Sequence, residues 1–203
     1  MARKLSEMTP DELRAAVRDR YGAVGTNPAS DDFGFKVGRE FAEALGYPAD
    51  VLDAAPPEAT DAFTGVATPV LRADLVPGET VVDLGCGAGL DLSIAARAVG
   101  PTGRAIGVDM AEPMTDRARR TVAALGLTNA EVRCTTADET GLHVASADCV
   151  LVNGLLNLSP SKEDVLREVA RVLRPGGRFV LAETTLHAPL PAGTVSTVDD
   201  WFR

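Results

Sequence analysis

The sequence predicts an α/β fold built on a doubly wound, mostly parallel sheet. From Thr80 onward, short apolar runs alternate with segments of helical character, which is the pattern of βαβ units. A glycine-rich turn follows the first run, and the crossovers between strands are expected to be right-handed. Five runs are predicted to be strands: 81–84, 105–108, 131–134, 148–152 and 178–182.

The N-terminal third carries no strand signal and is predicted to be helical. Thr9 and Glu12 form a capping-box pattern that begins a helix. That helix is expected to run through about Arg20 and to end at Gly22, because glycine favours helix ends. A loop is predicted over 22–32, and helices over 37–45 and, in short pieces, over 49–73.

These signals divide the chain into two parts. Residues 1–75 are predicted to be a helical lid or appendage, and residues 76–203 are predicted to be the α/β domain. In the second part, helices are expected over 90–99, 111–125 and, with Ser161 as the cap, 161–173.

Composition narrows the function classes. The 203 residues are 45% hydrophobic, which allows one domain with a sizeable core. The net charge is −9 and no Lys/Arg block stands out, so a nucleic-acid partner is not expected. No apolar run is long enough for a membrane span. Three scattered cysteines, Cys86, Cys134 and Cys149, form no metal-ligand or disulfide pattern, which favours a reducing cytoplasm and no metal site.

The turn after the first strand reads Asp83-Leu84-Gly85-Cys86-Gly87-Ala88-Gly89. Its spacing is GxGxG, whereas the dinucleotide fingerprint is GxGxxG. The third glycine of that fingerprint would fall at Leu90 or Leu92. This mismatch argues against the alternative of a nicotinamide-dependent oxidoreductase.

Two acids flank the turn at the expected sheet edge. Asp83 stands two residues before the first glycine, and Asp109 lies 20 residues after Gly89, at the end of the next strand. An acid at that second position can accept hydrogen bonds from both hydroxyls of a ribose. The first acid is a suitable neighbour for an ammonium group.

Several strings of the sequence resemble those of a known family. The strings VVDLGCGAGLD and VGPTGRAIGVDM resemble those of class I S-adenosylmethionine (SAM)-dependent methyltransferases, and in particular arsenite methyltransferases. AALGLTNAEV, LVNGLLNLSP, VLRPGGRFV and VGREFAEALGYP extend the resemblance over most of the chain. It implies a Rossmann-like fold with an N-terminal helical lid, SAM as cofactor, S-adenosylhomocysteine (SAH) as product, and a small-molecule methyl acceptor.

The resemblance also implies roles for individual residues. The glycine-rich turn would hold the methionine end, and residues after the next strands would hold the nucleoside. The implied contacts are Asp83, Gly85, Cys86, Gly87, Ala88 and Gly89 with the methionine end, Asp109 with the ribose, Met110 and Asp138 with the adenine, Asn153 near the sulfonium and the acceptor, and Tyr21 above the cofactor. For Met110, Asp138, Asn153 and Tyr21 the structural alternatives are a core residue, a loop cap, a turn-former and a packing aromatic, respectively.

Candidate catalytic residues are few. Methyl transfer is an in-line displacement, and a general base is needed only if the acceptor must lose a proton early. His187, after the fifth strand, is the candidate base, with a solvated loop histidine as the alternative. Asn153 is the other candidate, at the end of the fourth strand.

The chain departs from the arsenite methyltransferase pattern in its cysteines. The family has a cysteine where this chain has Gly154, and further ones in the loop matching 23–35 and after Trp201. Arsenite binding depends on soft thiolate ligands, so arsenite is not favoured as acceptor.

A second departure concerns the sheet. The family has seven strands, and the final hairpin is missing from the five predicted here, which suggests truncation at the C-terminus. An open sheet edge favours a homo-oligomer or a second chain that covers it. A SAM-binding, non-catalytic partner subunit is therefore the alternative function.

Overall fold

The computed structural model describes residues 4–30, 33–189, 191 and 193–202. The strands are β1 (Thr80–Leu84), β2 (Arg104–Asp109), β3 (Ala130–Cys134), β4 (Ala147–Asn153) and β5 (Leu173–Ala182). The α-helices are α1 (Pro10–Thr26), α2 (Arg39–Ala44), α3 (Ala49–Asp53), α4 (Pro57–Thr60), α5 (Leu90–Val99), α6 (Glu112–Ala124), α7 (Lys162–Val172) and α8 (Val198–Trp201).

The five strands form one parallel sheet in the order β3-β2-β1-β4-β5, which confirms the predicted fold class. The strand β1 is central, and its Val81 pairs with Ala105 on β2 and with Cys149 on β4. The chain runs outward from β1 to β3 on one side and then returns to build β4 and β5 on the other. A crevice therefore opens at the carboxyl ends of β1 and β4, where such sheets bind ligands.

The core covers both faces of the sheet. Alternate side chains of β1 point to opposite faces, so Val81 belongs to one buried cluster and Val82 to the other. The Val81 cluster also contains Leu52 and Phe63 from the N-terminal third. The helical N-terminal segment thus shares a hydrophobic core with the sheet, and a domain boundary at 75/76 stays a prediction.

The helix α1 begins as the sequence predicts but does not end there. Thr9 and Glu12 form both hydrogen bonds of the capping box. The helix continues past Gly22 to Thr26, so the predicted end and the start of the predicted loop are wrong; residues 31 and 32 of that loop lie outside the described residues. Gly25 lies against the backbone of α6, and an added Cβ would stand 2.8 Å from the Pro113 carbonyl carbon. Helix packing therefore overrides the helix-ending tendency of glycine.

Other boundaries differ by small amounts. The helix α7 follows Ser161, but the Ser161 side chain makes no capping hydrogen bond, contrary to the prediction. The short helix α8 near the C-terminus begins with a capping box between Thr197 and Asp200. None of the described helices is long and apolar enough to cross a membrane.

The two glycines of α1 provide a matched pair of substitutions. Gly25→Ala should lower the free energy of unfolding by about 1–3 kcal/mol, because its methyl group would press on α6. Gly22→Ala meets atoms only at 3.8 Å and should raise the free energy of unfolding by roughly 0.5–1 kcal/mol through helix propensity. Urea unfolding followed by circular dichroism measures both, and equal stabilisation by the two variants would contradict the packing described.

Candidate functional site

A cleft lies between the carboxyl edge of the sheet and one face of α1. Its empty volume is about 800 Å³, including the part open to solvent. The segments after β1, β2, β3 and β4 all contribute to its lining. From α1 come Arg14, Val17, Arg18 and Tyr21, whose i, i+3, i+4, i+7 spacing marks a single helix face. Of these four residues only Tyr21 was predicted to be a site residue, although the sequence shows the helical spacing of all four.

The glycine-rich turn approaches the cleft with its backbone. Gly85, Gly87 and Gly89 all have left-handed conformations, with φ of 76°, 51° and 88°. Gly85 and Gly87 line the cleft, whereas Gly89 packs against Ala118 of α6 and begins α5. The intervening Cys86 and Ala88 are buried and line a smaller adjoining cavity, described below.

Asp109 joins the turn to the next strand end. Its Oδ2 accepts a hydrogen bond from the Gly87 backbone N–H at 3.0 Å, and its Oδ1 accepts one from Ala111 N–H at 2.9 Å. Burial raises the pKa of this carboxyl, while the backbone donors oppose that shift. Each carboxylate oxygen has two acceptor sites, so Asp109 keeps capacity for a ligand while its position is fixed.

The part of the cleft beside the loop after β3 contains Asp138, the third predicted acid. Asp138 and Met110 both line the cleft. Asp138 is paired with Arg14 of α1, at 3.1 Å between Oδ2 and Nη2. That ion pair fastens α1 to the loop after β3.

Tyr21 stands on the α1 side of the cleft and stacks on Phe35, with 5.6 Å between ring centroids. Burial raises the pKa of its hydroxyl, and the charges of Asp109 and Glu183 add to the shift. The phenol therefore stays protonated at neutral pH and is available as a neutral hydrogen-bond donor.

Asn153 lies at the end of β4, and its amide group is fully engaged. Its Oδ1 accepts from the N–H groups of Val66 and Ala67 at 2.8 and 3.1 Å. Its Nδ2 donates to Ala67 O at 2.9 Å, to Asp91 Oδ2 at 3.0 Å and to the Tyr47 hydroxyl at 3.3 Å. Asn153 thus attaches the segment before the sheet to the sheet edge, and its own polar atoms are occupied.

A smaller cavity, whose empty volume of about 380 Å³ includes the part open to solvent, adjoins the cleft beside Asn153. Asp83 and Asp91 both line it, and they are 2% and 6% exposed. The Oδ2 atom of Asp83 is buried, and no described residue forms a hydrogen bond with it. Asp91 is bonded to the Tyr47 hydroxyl at 2.5 Å and to Asn153. Tyr47 and Asp91 were not predicted to be site residues, although both lie in strings that carry the family resemblance, because their contact joins segments 44 residues apart.

Neither the histidines nor the cysteines line the cleft, although Cys86 lines the smaller cavity. His187 is exposed and does not line the cleft, so its role as a general base stays a prediction. Burial raises the pKa of the Cys86 thiol well above its usual range and that of Cys149 to about 11. Cys134 is exposed at the end of β3. Among the described residues, no group of three or more His, Cys, Asp or Glu side chains could hold a metal ion.

Gly154 occupies the position where the resemblance led us to expect a cysteine. Its φ is 78°, and an added Cβ would stand 3.0 Å from Cγ1 of Val66. A cysteine there would be strained and crowded in this backbone.

The buried acids predict a pH dependence of stability. The pKa of Asp91 is raised to about 6, mainly by burial. A carboxyl whose pKa is higher in the folded chain contributes stability at low pH and loses it as pH rises through 6. As pH rises from 4.5 to 7, the free energy of unfolding of Asp91→Asn should therefore increase by roughly 1–3 kcal/mol relative to that of the wild-type chain, as measured by urea unfolding.

Glu168 provides a control of opposite sign. Arg171 and Thr140 hold the pKa of Glu168 at about 2, so its contribution is present above about pH 4.5 and is lost as pH falls towards 2. The loss of stability caused by Glu168→Gln, relative to wild type, should thus be larger at neutral pH than at low pH. If Asp91→Asn and Glu168→Gln showed the same pH trend, the environment described for Asp91 would be wrong.

Comparison with known proteins agrees with this geometry. A family model described as a methyltransferase domain matches residues 75–203. An arsenite methyltransferase of Halobacterium salinarum is 36% identical over 92% of this chain and 51% of its own length. The chain spans about half the length, or less, of the curated relatives it matches first.

Two solved structures share the fold. An arsenic(III) S-adenosylmethionine methyltransferase from Chlamydomonas reinhardtii has a TM-score of 0.53 and 32% identity, over 69% of this chain and 46% of that one. A SAM-dependent methyltransferase from Aquifex aeolicus has a TM-score of 0.51 and 26% identity, over 69% of both chains. The chain therefore belongs to the class I SAM-dependent methyltransferase family and is related to its arsenite methyltransferases.

Proposed function

We propose that this chain transfers a methyl group from SAM to a small-molecule acceptor and releases SAH. One observation carries the proposal. Two acids, the buried Asp83 and the half-buried Asp109, flank a GxGxG turn at the carboxyl ends of neighbouring parallel strands, beside an open cleft. This arrangement provides acceptors for an ammonium group and for ribose hydroxyls, and no helix-end pyrophosphate fingerprint accompanies it.

The described residues fit such a cofactor along the length of the cleft. The unpartnered Asp83 oxygen requires a positive or donating group, which the methionine ammonium supplies. Asp109 would hold the ribose. Met110 and Asp138 would border the adenine, whose amino group would share Asp138 with Arg14.

In catalysis the bound cofactor supplies an electrophilic methyl carbon, and the protein supplies orientation and electrostatics. The α1 face borders the cleft, and Tyr21 offers a neutral hydroxyl beside it. We assign Asn153 as a positioning residue, because its amide holds the 66–67 backbone and leaves no atom free for a reacting group.

Arsenite is not the acceptor that the cysteines favour. Cys86 and Cys149 are buried with raised thiol pKa, and only Cys134 is exposed among the three cysteines, all of them in the described part of the chain. A soft trivalent ion needs accessible thiolates. We therefore propose an organic small molecule as acceptor, and a cytoplasmic location in keeping with free thiols.

A SAM-binding, non-catalytic subunit is the second candidate. The observation that favours it is the outer edge of β5, which has no neighbouring strand among the described residues, and Leu181 on it is 42% exposed. Exposed strand edges are covered by another chain in many proteins. A second copy or a partner chain would cover this edge.

Turnover separates the two candidates. We expect the chain to convert SAM to SAH in the presence of some member of a panel of phenols, enols, quinols and amines, with arsenite plus thiol included. Mass spectrometry of SAH and of the methylated acceptor measures this. Tight SAM binding without turnover on any acceptor would favour the non-catalytic subunit, and methylated arsenic would contradict the proposed acceptor class.

Asp109→Asn tests the ribose assignment. The substitution removes the charged carboxylate that would accept hydrogen bonds from the ribose hydroxyls. It should weaken SAH binding about 10- to 100-fold, as measured by calorimetry. Asp116→Asn on the exposed side of α6 is the matched control and should leave SAH affinity unchanged. Equal affinity of Asp109→Asn and wild type would contradict the assignment.

A further inference from the structure

Asp83 and Asp91 form an unusual pair of buried carboxyl groups that line one cavity. Both carboxyl groups are more than nine-tenths buried and line the 380 Å³ cavity. No Lys, Arg or His side chain is among the described residues that line it. Two buried carboxylates without a cation repel each other and lose their hydration, so the pair is expected to hold a proton.

The hydrogen bonds decide which acid holds the proton. Asp91 Oδ1 is bonded to the Tyr47 hydroxyl, and its Oδ2 to the Asn153 amide; both donors favour the charged form. Asp83 has only a backbone donor, from Leu92, and its Oδ2 has no partner. Burial raises the pKa of Asp83 well above its usual range, and the charge of Asp91 adds to the shift. The proton therefore resides mainly on Asp83.

The charged and titratable groups around Asp83 come from four segments. Asp91 lies on α5 and Asp109 on β2, and both raise the pKa of Asp83. Tyr47, after α2, is a neutral phenol whose own pKa is raised by burial and by Asp91. Cys86, in the turn, is a neutral thiol because burial, more than any other cause, raises its pKa. The charges of Asp91 and Asp109 therefore disfavour a further negative charge on Asp83, and the neutral Tyr47, Cys86 and Asn153 side chains supply no counter-charge.

We propose that Asp91 is the second carboxylate of the ammonium site, and that the cofactor's ammonium displaces a proton held by the Asp83–Asp91 pair. This inference rests on the proposed function and specifies how its methionine end is recognised. On binding, the Asp83 O–H bond breaks, its proton passes to solvent, and the resulting carboxylate faces the ammonium. Tyr47 and Asn153 act as positioning residues that keep Asp91 charged and oriented.

Proton release makes the site selective. A ligand with an ammonium group gains two carboxylates, whereas a ligand without one leaves the proton in place. SAH affinity should therefore rise with pH wherever Asp83 is protonated in the free chain, by up to about tenfold per pH unit for one released proton. The affinity of 5′-methylthioadenosine, which lacks the amino-acid end, should not depend on pH in this way.

Calorimetry near pH 6 in buffers of different ionisation enthalpy counts the protons directly. We expect SAH to release roughly half to one proton and 5′-methylthioadenosine to release none. SAH binding without proton release anywhere between pH 5.5 and 7.5 would overturn the inference but leave the proposed function standing. Absence of SAH binding by the folded chain would overturn both.

Three variants separate positioning from simple structural support. Tyr47→Phe keeps the ring against Phe63, removes one donor to Asp91, and should shift the proton-release curve to higher pH by roughly one unit. Asp91→Asn should lower proton release at pH 6 at least twofold. Ser93→Ala on the same helix removes a buried hydroxyl bonded to Leu90 O and should leave the curve unchanged. If Tyr47→Phe and Ser93→Ala gave the same curve as wild type, Tyr47 would have no positioning role.

Discussion

The burial of three carboxyl groups around one glycine-rich turn is the constraint on which the rest of this site depends. Asp83, Asp91 and Asp109 are each desolvated, and desolvation raises the pKa of each. Charged groups remain buried only where hydrogen bonds or counter-charges compensate them. Two backbone N–H groups hold Asp109, and a phenol and an amide hold Asp91. Of the three, Asp83 alone has an oxygen without a hydrogen-bond partner among the described residues.

The N-terminal third is part of this compensation rather than a separate cover. Its Tyr47 supplies a donor to Asp91, and its backbone at residues 66–67 is held by Asn153 at the end of β4. The helix α1 packs on α6 through Gly25 and is fastened to the loop after β3 by the pair of Arg14 and Asp138. The cleft is therefore shaped by contacts that join the N-terminal third to the sheet.

Much of the fold could be predicted from the sequence because its signals are local. Apolar runs bounded by Gly and Asp gave all five strands to within a few residues, apart from an early start to β5. The end of α1 could not be predicted, since it depends on how closely Gly25 approaches a helix that is distant in sequence. Within the site, Asp83 and Asp109 were recognisable from their spacing to the glycines. Tyr47, Asp91 and Arg14 act through contacts between distant segments, and no spacing rule reveals such contacts.

The central claim is that the cleft beside Asp83 and Asp109 is a SAM site and not a dinucleotide site. Parallel calorimetric titration of the purified, monodisperse chain with SAH and with NADH tests it most directly. We expect saturable one-to-one binding of SAH and no measurable heat with NADH, because the turn has GxGxG spacing. Saturable NADH binding without SAH binding would contradict the claim and would favour a nicotinamide-dependent oxidoreductase.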